Sequence, residues 1–263
     1  MMRRSIYNPA MPEPQHDHKV RPRLPRKRRV LALTAAVLAL LPGSALLVDT
    51  LLLRGAPETH IAGQLAGDRW YRIRVGDRHI GYLHSTADRD WRGRWRFGTD
   101  LRFVLEAGSP VRIQQQLAFS ALPPHALAHG AQRNERGGML MDAIELVPDR
   151  QGYRWQSAGD ATAVPTETSP TARIPAFTLA DYLAVERWLT ATNRSRGDHV
   201  SLPNLDFGAR ALVPRPYRVA ADDARGVVLD SANPEAATRI ELDRLLRPRH
   251  MNLAGIFELT RVS

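Results

Sequence analysis

The segment Trp95-Arg96-Phe97-Gly98-Thr99-Asp100-Leu101-Arg102-Phe103-Val104-Leu105 decides the fold class. Trp95, Phe97, Thr99, Leu101, Phe103 and Leu105 occupy alternate positions, and Arg96, Asp100 and Arg102 fill places between them. A period of two sends successive side chains to opposite faces of a pleated strand, one face on a core and the other in water. A helix would need apolar residues every three or four positions, and this stretch does not supply them.

The same pattern continues on both sides. Upstream, Tyr71, Ile73 and Val75 alternate with Arg72 and Arg74, Gly76-Asp77 marks a turn, and Ile80 and Tyr82 continue on a second strand. Downstream, Gly108-Ser109-Pro110 breaks the run before Val111, Ile113, Gln115, Leu117 and Phe119 resume it. Gly137-Gly138 joins residues 125–136 to 139–147, and 149–152 turns into 153–157. Shorter strands are expected at 211–213, 227–229, 238–242 and 255–260. Successive strands joined by short turns imply an antiparallel meander. One helix interrupts it. Thr178 and Asp181 resemble a capping box, Leu179, Tyr182, Val185 and Leu189 fall at helical spacing, and Gly197 stands where a left-handed cap would end it. Trp188 and Leu189 are expected to insert into the apolar face of the sheet. The Thr/Pro/Ala-rich stretch 158–175 reads as a long loop. The expected fold is therefore mainly β: a curved antiparallel meander sheet with one packed α-helix over residues 69–263, preceded by a single transmembrane helix.

That preceding helix is read from residues 30–53. Val30 to Val48 are nineteen residues without charge. At ~1.5 Å per residue they span roughly 28 Å, close to the ~30 Å hydrocarbon core of a bilayer. Asp49 lies near the outer end, within reach of headgroups, and Leu51 to Leu53 extend the run before Arg54. Lys19, Arg21, Arg23, Arg26, Lys27, Arg28 and Arg29 precede it, and this positive flank keeps the N-terminus cytoplasmic. The expected organisation is a disordered basic cytoplasmic tail at 1–29, a signal-anchor at 30–53, a spacer at 54–68 and an exported domain at 69–263. The place expected is the inner membrane, with the C-terminal domain periplasmic. A cleaved signal peptide ending at Gly43-Ser44-Ala45 competes, and Arg28-Arg29 loosely resembles a twin-arginine signal. The long basic region and the apolar residues beyond Ala45 favour the uncleaved anchor.

The net charge of +10 and the pI near 10.8 suggest nucleic acid until the charge is located. Nine Lys/Arg precede Val30 against Glu13 and Asp17, whereas 28 Arg face 24 Asp/Glu from Arg54 onward. Most of the excess thus follows from topology, and no nucleic-acid partner is expected. Both lysines, Lys19 and Lys27, lie in the tail, which leaves the domain without Schiff-base or phosphate-loop lysines. The absence of cysteine removes thiol nucleophiles, disulfides and thiolate metal sites.

Catalytic patterns are also missing: there is no Gly-x-Ser-x-Gly elbow and no His-Glu-x-x-His helix. His125 and His129 have a helical ligand spacing, but Pro123-Pro124 and Gly130 argue for strand or loop. His79 and His84, five apart, are expected on opposite faces of the sheet. Asp88 with Asp90 and Asp222 with Asp223 read as solvated turn acids. No catalytic, cofactor or metal residue is assigned. The candidate ligand contacts are Arg92, Arg94, Trp95 and Arg96, where charge beside an aromatic suits an anionic headgroup or polymer. The plainer reading is a hairpin with Trp95 in the core and solvated arginines.

The run Trp70-Tyr71-Arg72-Ile73-Arg74-Val75-Gly76-Asp77-Arg78-His79-Ile80-Gly81-Tyr82 resembles the hairpin opening the non-catalytic β-domain that precedes transglutaminase-like domains in bacterial envelope proteins. Asp243-Arg244-Leu245-Leu246-Arg247 resembles a late strand and turn of that domain. The resemblance implies a curved antiparallel sheet and carries no functional residue. Transglutaminase-like catalysis needs a Cys-His-Asp set, which a chain without cysteine lacks. The expected function is a membrane-anchored, non-enzymatic binding or scaffolding protein of the bacterial envelope. Its partner would be an envelope protein, or an apolar or anionic ligand on the concave sheet face. The alternative is an envelope hydrolase or transferase with a carboxylate/histidine site assembled from distant residues, such as His84 with Asp100.

Overall fold

The computed structural model describes residues 56–105, 108–157, 173–191, 194–231 and 238–262. The tail at 1–29, the apolar segment at 30–53 and most of the loop at 158–175 lie outside the described residues. Among the described residues no helix is long and apolar enough to cross a membrane.

Fourteen strands are described: β1 (Gly67–Val75), β2 (Arg78–Arg89), β3 (Trp95–Phe103), β4 (Val111–Phe119), β5 (Leu127–Arg136), β6 (Met139–Asp149) and β7 (Gly152–Ser157), then β8 (Arg173–Ile174), β9 (His199–Asp206), β10 (Ala211–Asp223), β11 (Gly226–Ser231), β12 (Thr238–Leu242), β13 (Pro248–Leu253) and β14 (Phe257–Val262). They form one sheet in the order β8-β7-β6-β5-β4-β3-β2-β1-β14-β13-β12-β11-β10-β9, and every described pairing is antiparallel. Neighbours are consecutive in the chain except at β1–β14. Register shifts on five of these ladders, among them Ile73/Arg74, Ala118/Phe119 and Val219/Ala221, are places where an extra residue bends a strand. The sheet curls far enough to bring β8 against β10. Gly81 marks the tightest point of the β2–β3 ladder, where a side chain would collide with the Arg102 carbonyl.

Three helices pack on one face of this sheet: α1 (Pro57–Leu65), α2 (Leu179–Tyr182) and α3 (Ala184–Ala191). Residues 57–65, expected within a spacer, instead fold because Pro57 sits in the first turn and Ile61, Ala62 and Leu65 make one buried stripe. The capping box is present. The Asp181 amide donates to Thr178 Oγ1 at 3.3 Å, and the Thr178 amide donates to Asp181 Oδ2 at 2.8 Å. The single expected helix is broken at Leu183, whose φ of −96° and ψ of 24° leave the helical range. Gly197 does not cap it. Its φ of +98° serves a turn whose amide donates to the Val219 carbonyl at 2.9 Å, extending the edge of β10.

The helices divide the inner face of the sheet. One cluster unites Ile61, Ala62 and Leu65 of α1 with Phe97, Leu117, Phe119, Leu146 and Trp155, and with Leu179 and Leu183. A second packs Leu189 of α3 on Tyr217, Val219, Val227 and Leu229, with Trp188 beside it. A third, centred on Tyr71, Ile73 and Leu259, contains no helical residue.

Candidate functional site

The register of β1 to β5 lays side chains out in rows across the inner face. Ala87, Phe97 and Leu117 form the row beneath the helices. Two positions along each strand comes a polar row, Arg69, Ser85, Thr99, Gln115 and Gln132, each half-buried. Two positions further lie Tyr71, Leu83, Leu101 and Ile113. Ile80, Phe103, Met251, Leu253 and Phe257 continue this apolar region, all half-buried, and no described helix packs on it. The result is an apolar half of the inner face, bordered on one side by a polar belt.

Above the belt the charges are unusual. Burial disfavours the Arg69 cation, and its ordinary value is lowered; the neighbouring Arg247 and Arg261 act in the same direction, while the Tyr71 hydroxyl opposes. Arg69 forms no ion pair with a carboxylate among the described residues. A half-buried cation in that state is a natural receptor for an anion. Tyr182 lies over Phe97 and Phe119, with ring centroids 4.7 and 5.5 Å away. Burial raises its hydroxyl well above the ordinary phenol range, the Glu186 charge adds to this, and Arg69 opposes it. Burial likewise pushes the Glu186 carboxyl up to about 7. Tyr217 is raised by the same cause, with a hydrogen bond to Arg215 working the other way.

The four residues singled out from sequence are separated by the fold. Trp95 points into the core beneath the helices. Arg94 and Arg96 both reach Asp90 Oδ2 at 2.9 Å, and the Asp90 side chain is only 2% exposed. Burial works to raise Asp90, but the Arg94 amide and the two guanidinium groups hold it at about 2. Arg92 forms no ion pair among the described residues, and its guanidinium lies 4.6 Å from the centroid of the exposed Trp91 ring.

His84 and Asp100 are directly opposed on β2 and β3, on the outer face. They do not act together. Asp100 is clamped by Arg112 and Arg102 at 2.8 Å each, and the Arg112 hydrogen bond leads in holding its carboxyl well below the usual range. His84 Nε2 lies 3.3 Å from Asp68 Oδ1, and its ring stacks on Trp70 at 4.1 Å and 9°. His79 was expected on the opposite face from His84. The register shift beside Ile80 moves the phase by one residue, so His79 faces Arg74 on the same outer side. His125 is buried in the β4–β5 connection, where its Nδ1 lies 2.9 Å from the Ser120 carbonyl, and His129 is exposed on β5. Among the described residues no group of three His, Asp or Glu side chains has a metal-holding arrangement.

Sequence reasoning did not find this apolar surface and its polar border. Its signal was present, because Arg69, Ser85, Thr99 and Gln115 interrupt apolar faces at matching heights, but the register that aligns them is not written in any one strand.

No family model matches the chain, and no curated protein matches it. Among solved structures, it is similar to a β-barrel-like protein of a domain of unknown function, DUF1849, from Brucella abortus. The identity is 10%, the match covers 74% of this chain and 93% of the other, and the TM-score is 0.47. It is also similar to a DUF1089 family protein from Pseudomonas aeruginosa, at 16% identity over 66% of this chain and 89% of the other, with a TM-score of 0.36. Neither of these two structures is described as transglutaminase-like.

Proposed function

We propose that this chain is a single-pass, membrane-anchored binding protein of the bacterial envelope, with its N-terminus cytoplasmic and its β domain periplasmic. Its ligand would be an amphiphile with an apolar chain and an anionic head. One observation carries this reading: no described helix packs on the apolar half of the inner face, which ends at Arg69, a half-buried cation without a carboxylate partner among the described residues. The apolar chain would lie along Leu83, Leu101 and Phe103, and the head would meet Arg69 and the Ser85–Gln115 belt. Mouths of barrel-like sheets are common places for such ligands.

The test is displacement of a fluorescent fatty-acid probe from the purified full chain. Arg69→Gln should weaken an anionic probe about tenfold, the effect of losing one charge-assisted hydrogen bond, and leave a neutral alcohol probe unchanged. Leu101→Asp should abolish both. Equal binding by parent and Leu101→Asp would refute this binding surface.

The hydrolase alternative has one observation in its favour, the Glu186 carboxyl raised to about 7 near the phenol of Tyr182. Turnover of an ester probe that vanishes in Glu186→Gln would establish it in place of binding. The His84–Asp100 pair does not serve, since two arginines already hold Asp100.

A further inference from the structure

We propose that the helix-plugged end of the sheet rests on the surface of an anionic bilayer, an inference that builds on the reading of residues 30–53 as an anchor. Three independent observations converge on this end.

The first is where the chain enters. Gly67, the first residue of β1, pairs with Ala87 near the end of β2, so the α1–β1 junction lies at the same end as the β2–β3 hairpin. Only Arg54, Gly55 and Ala56 separate Leu53 from Pro57. Four peptide steps span at most about 14 Å of chain.

The second is exposed apolar surface. Trp91, at the tip of the β2–β3 hairpin, is 85% exposed, and Leu122, in the β4–β5 connection, is 76% exposed. The two loops touch: a side chain on Gly93 would meet the Ala121 methyl at 3.4 Å. Pro123 and Pro124 beside Leu122 are also exposed. A tryptophan with an adjacent leucine and basic neighbours is the side-chain set that settles at a membrane–water boundary.

The third is charge. In a meander, alternate connections leave the sheet at the same end. Those at this end hold Arg92, Arg150, Arg225 and Arg244, none of which pairs with a carboxylate among the described residues. Of the acids there, Asp90 is engaged by Arg94 and Arg96 and Asp243 by Arg261 at 3.0 Å, while the exposed Asp88 and Asp223 form no ion pair among the described residues and offset part of the charge. Arg244 donates to the Ala224 carbonyl at 3.2 Å, which joins the β10–β11 and β12–β13 turns into one basic edge. The described connections at the other end carry Asp77 and Arg210. Unpaired arginines beside an anionic surface replace lost hydration with headgroup phosphates, and the attraction is screened by salt.

The experiment reconstitutes the full chain into vesicles of phosphatidylcholine alone, or with phosphatidylglycerol, each containing lipid brominated near the headgroup. Tryptophan quenching is compared between the parent and Trp91→Phe. The expected result is headgroup-level quenching in the anionic vesicles that is lost in Trp91→Phe. It should also weaken at high salt, in phosphatidylcholine alone, and in the Arg92→Glu/Arg225→Glu/Arg244→Glu variant. Identical quenching of parent and Trp91→Phe, in a chain that floats with the vesicles, overturns the docking and leaves the anchor standing. A chain that does not float with the vesicles removes the anchor and the docking together.

Discussion

The two halves of the inner sheet face are built from the same strands and differ in what lies on them. On β3 and β4, Phe97, Leu117 and Phe119 lie beneath α1 and α2 and are buried, Phe119 completely. A few residues along the same strands, Leu101, Phe103 and Ile113 have the same chemistry and remain half-exposed. Strand pattern alone therefore does not separate a core from a binding surface. The difference is made by three short helices, α1 to α3, and by how far along the strands they reach.

Substitutions can break this comparison, and the largest effect belongs to the covered half. Phe119→Ala should cost about 3–5 kcal/mol by chemical denaturation, as expected for a filled site that cannot collapse. Phe103→Ala should cost about 1–2 kcal/mol, because part of its surface already meets solvent. Equal losses would mean that the open half is covered in solution.

Glu186 sharpens the boundary between the halves. Its carboxyl titrates near 4.5 when unfolded and at about 7 when folded, so between those values the folded state holds the extra proton. Stability on this account is greatest below about pH 4.5 and falls as the pH rises to 7. Glu186→Gln should therefore stabilise the protein at pH 8, by at most about 3 kcal/mol, with the gain vanishing at pH 4. Thermal melts at the two pH values measure it, and a gain that is independent of pH would show that Glu186 is solvated.

A smaller effect is expected at the start of α2. Thr178→Ala removes the cap that fixes the entry of this helix and should cost about 1 kcal/mol in the same melts. The smallest is Met139→Ser, on the exposed β5–β6 hairpin, which should stay within about 0.5 kcal/mol. A large loss there would reveal an apolar contact on that hairpin.

Sequence reading recovers the strands that have one wet face. β3, β4 and β12 appear close to their observed bounds, because apolar and polar residues alternate along them. β9 and β13 are missed. His199–Asp206 contains Pro203, and Pro248–Leu253 is half-buried at every position, so neither shows a two-residue contrast. The long β10 is read only at its first residues, since Pro214 and Pro216 interrupt its pattern. The candidate site was less legible. Arg92, Arg94, Trp95 and Arg96 look alike in sequence, but strand alternation sends Trp95 inward, and Asp90 takes up Arg94 and Arg96. Arg69, which stands in the polar belt opposite Ser85, reads as one more arginine until β1 is paired with β2.

The β1–β14 ladder also bears on how the molecule is made. Its six residue pairs, from Trp70–Val262 to Val75–Phe257, join a meander that begins the domain to a meander that ends it. During synthesis β2 can pair with β1 as soon as both have emerged, but the other edge of β1 must wait for β14. Until then a row of unpaired amides and carbonyls stays open to other polypeptides. A nascent chain stopped before Phe257 would hold two half-sheets with no strand between them, so loss of β14 alone should yield an aggregating product rather than a shortened one.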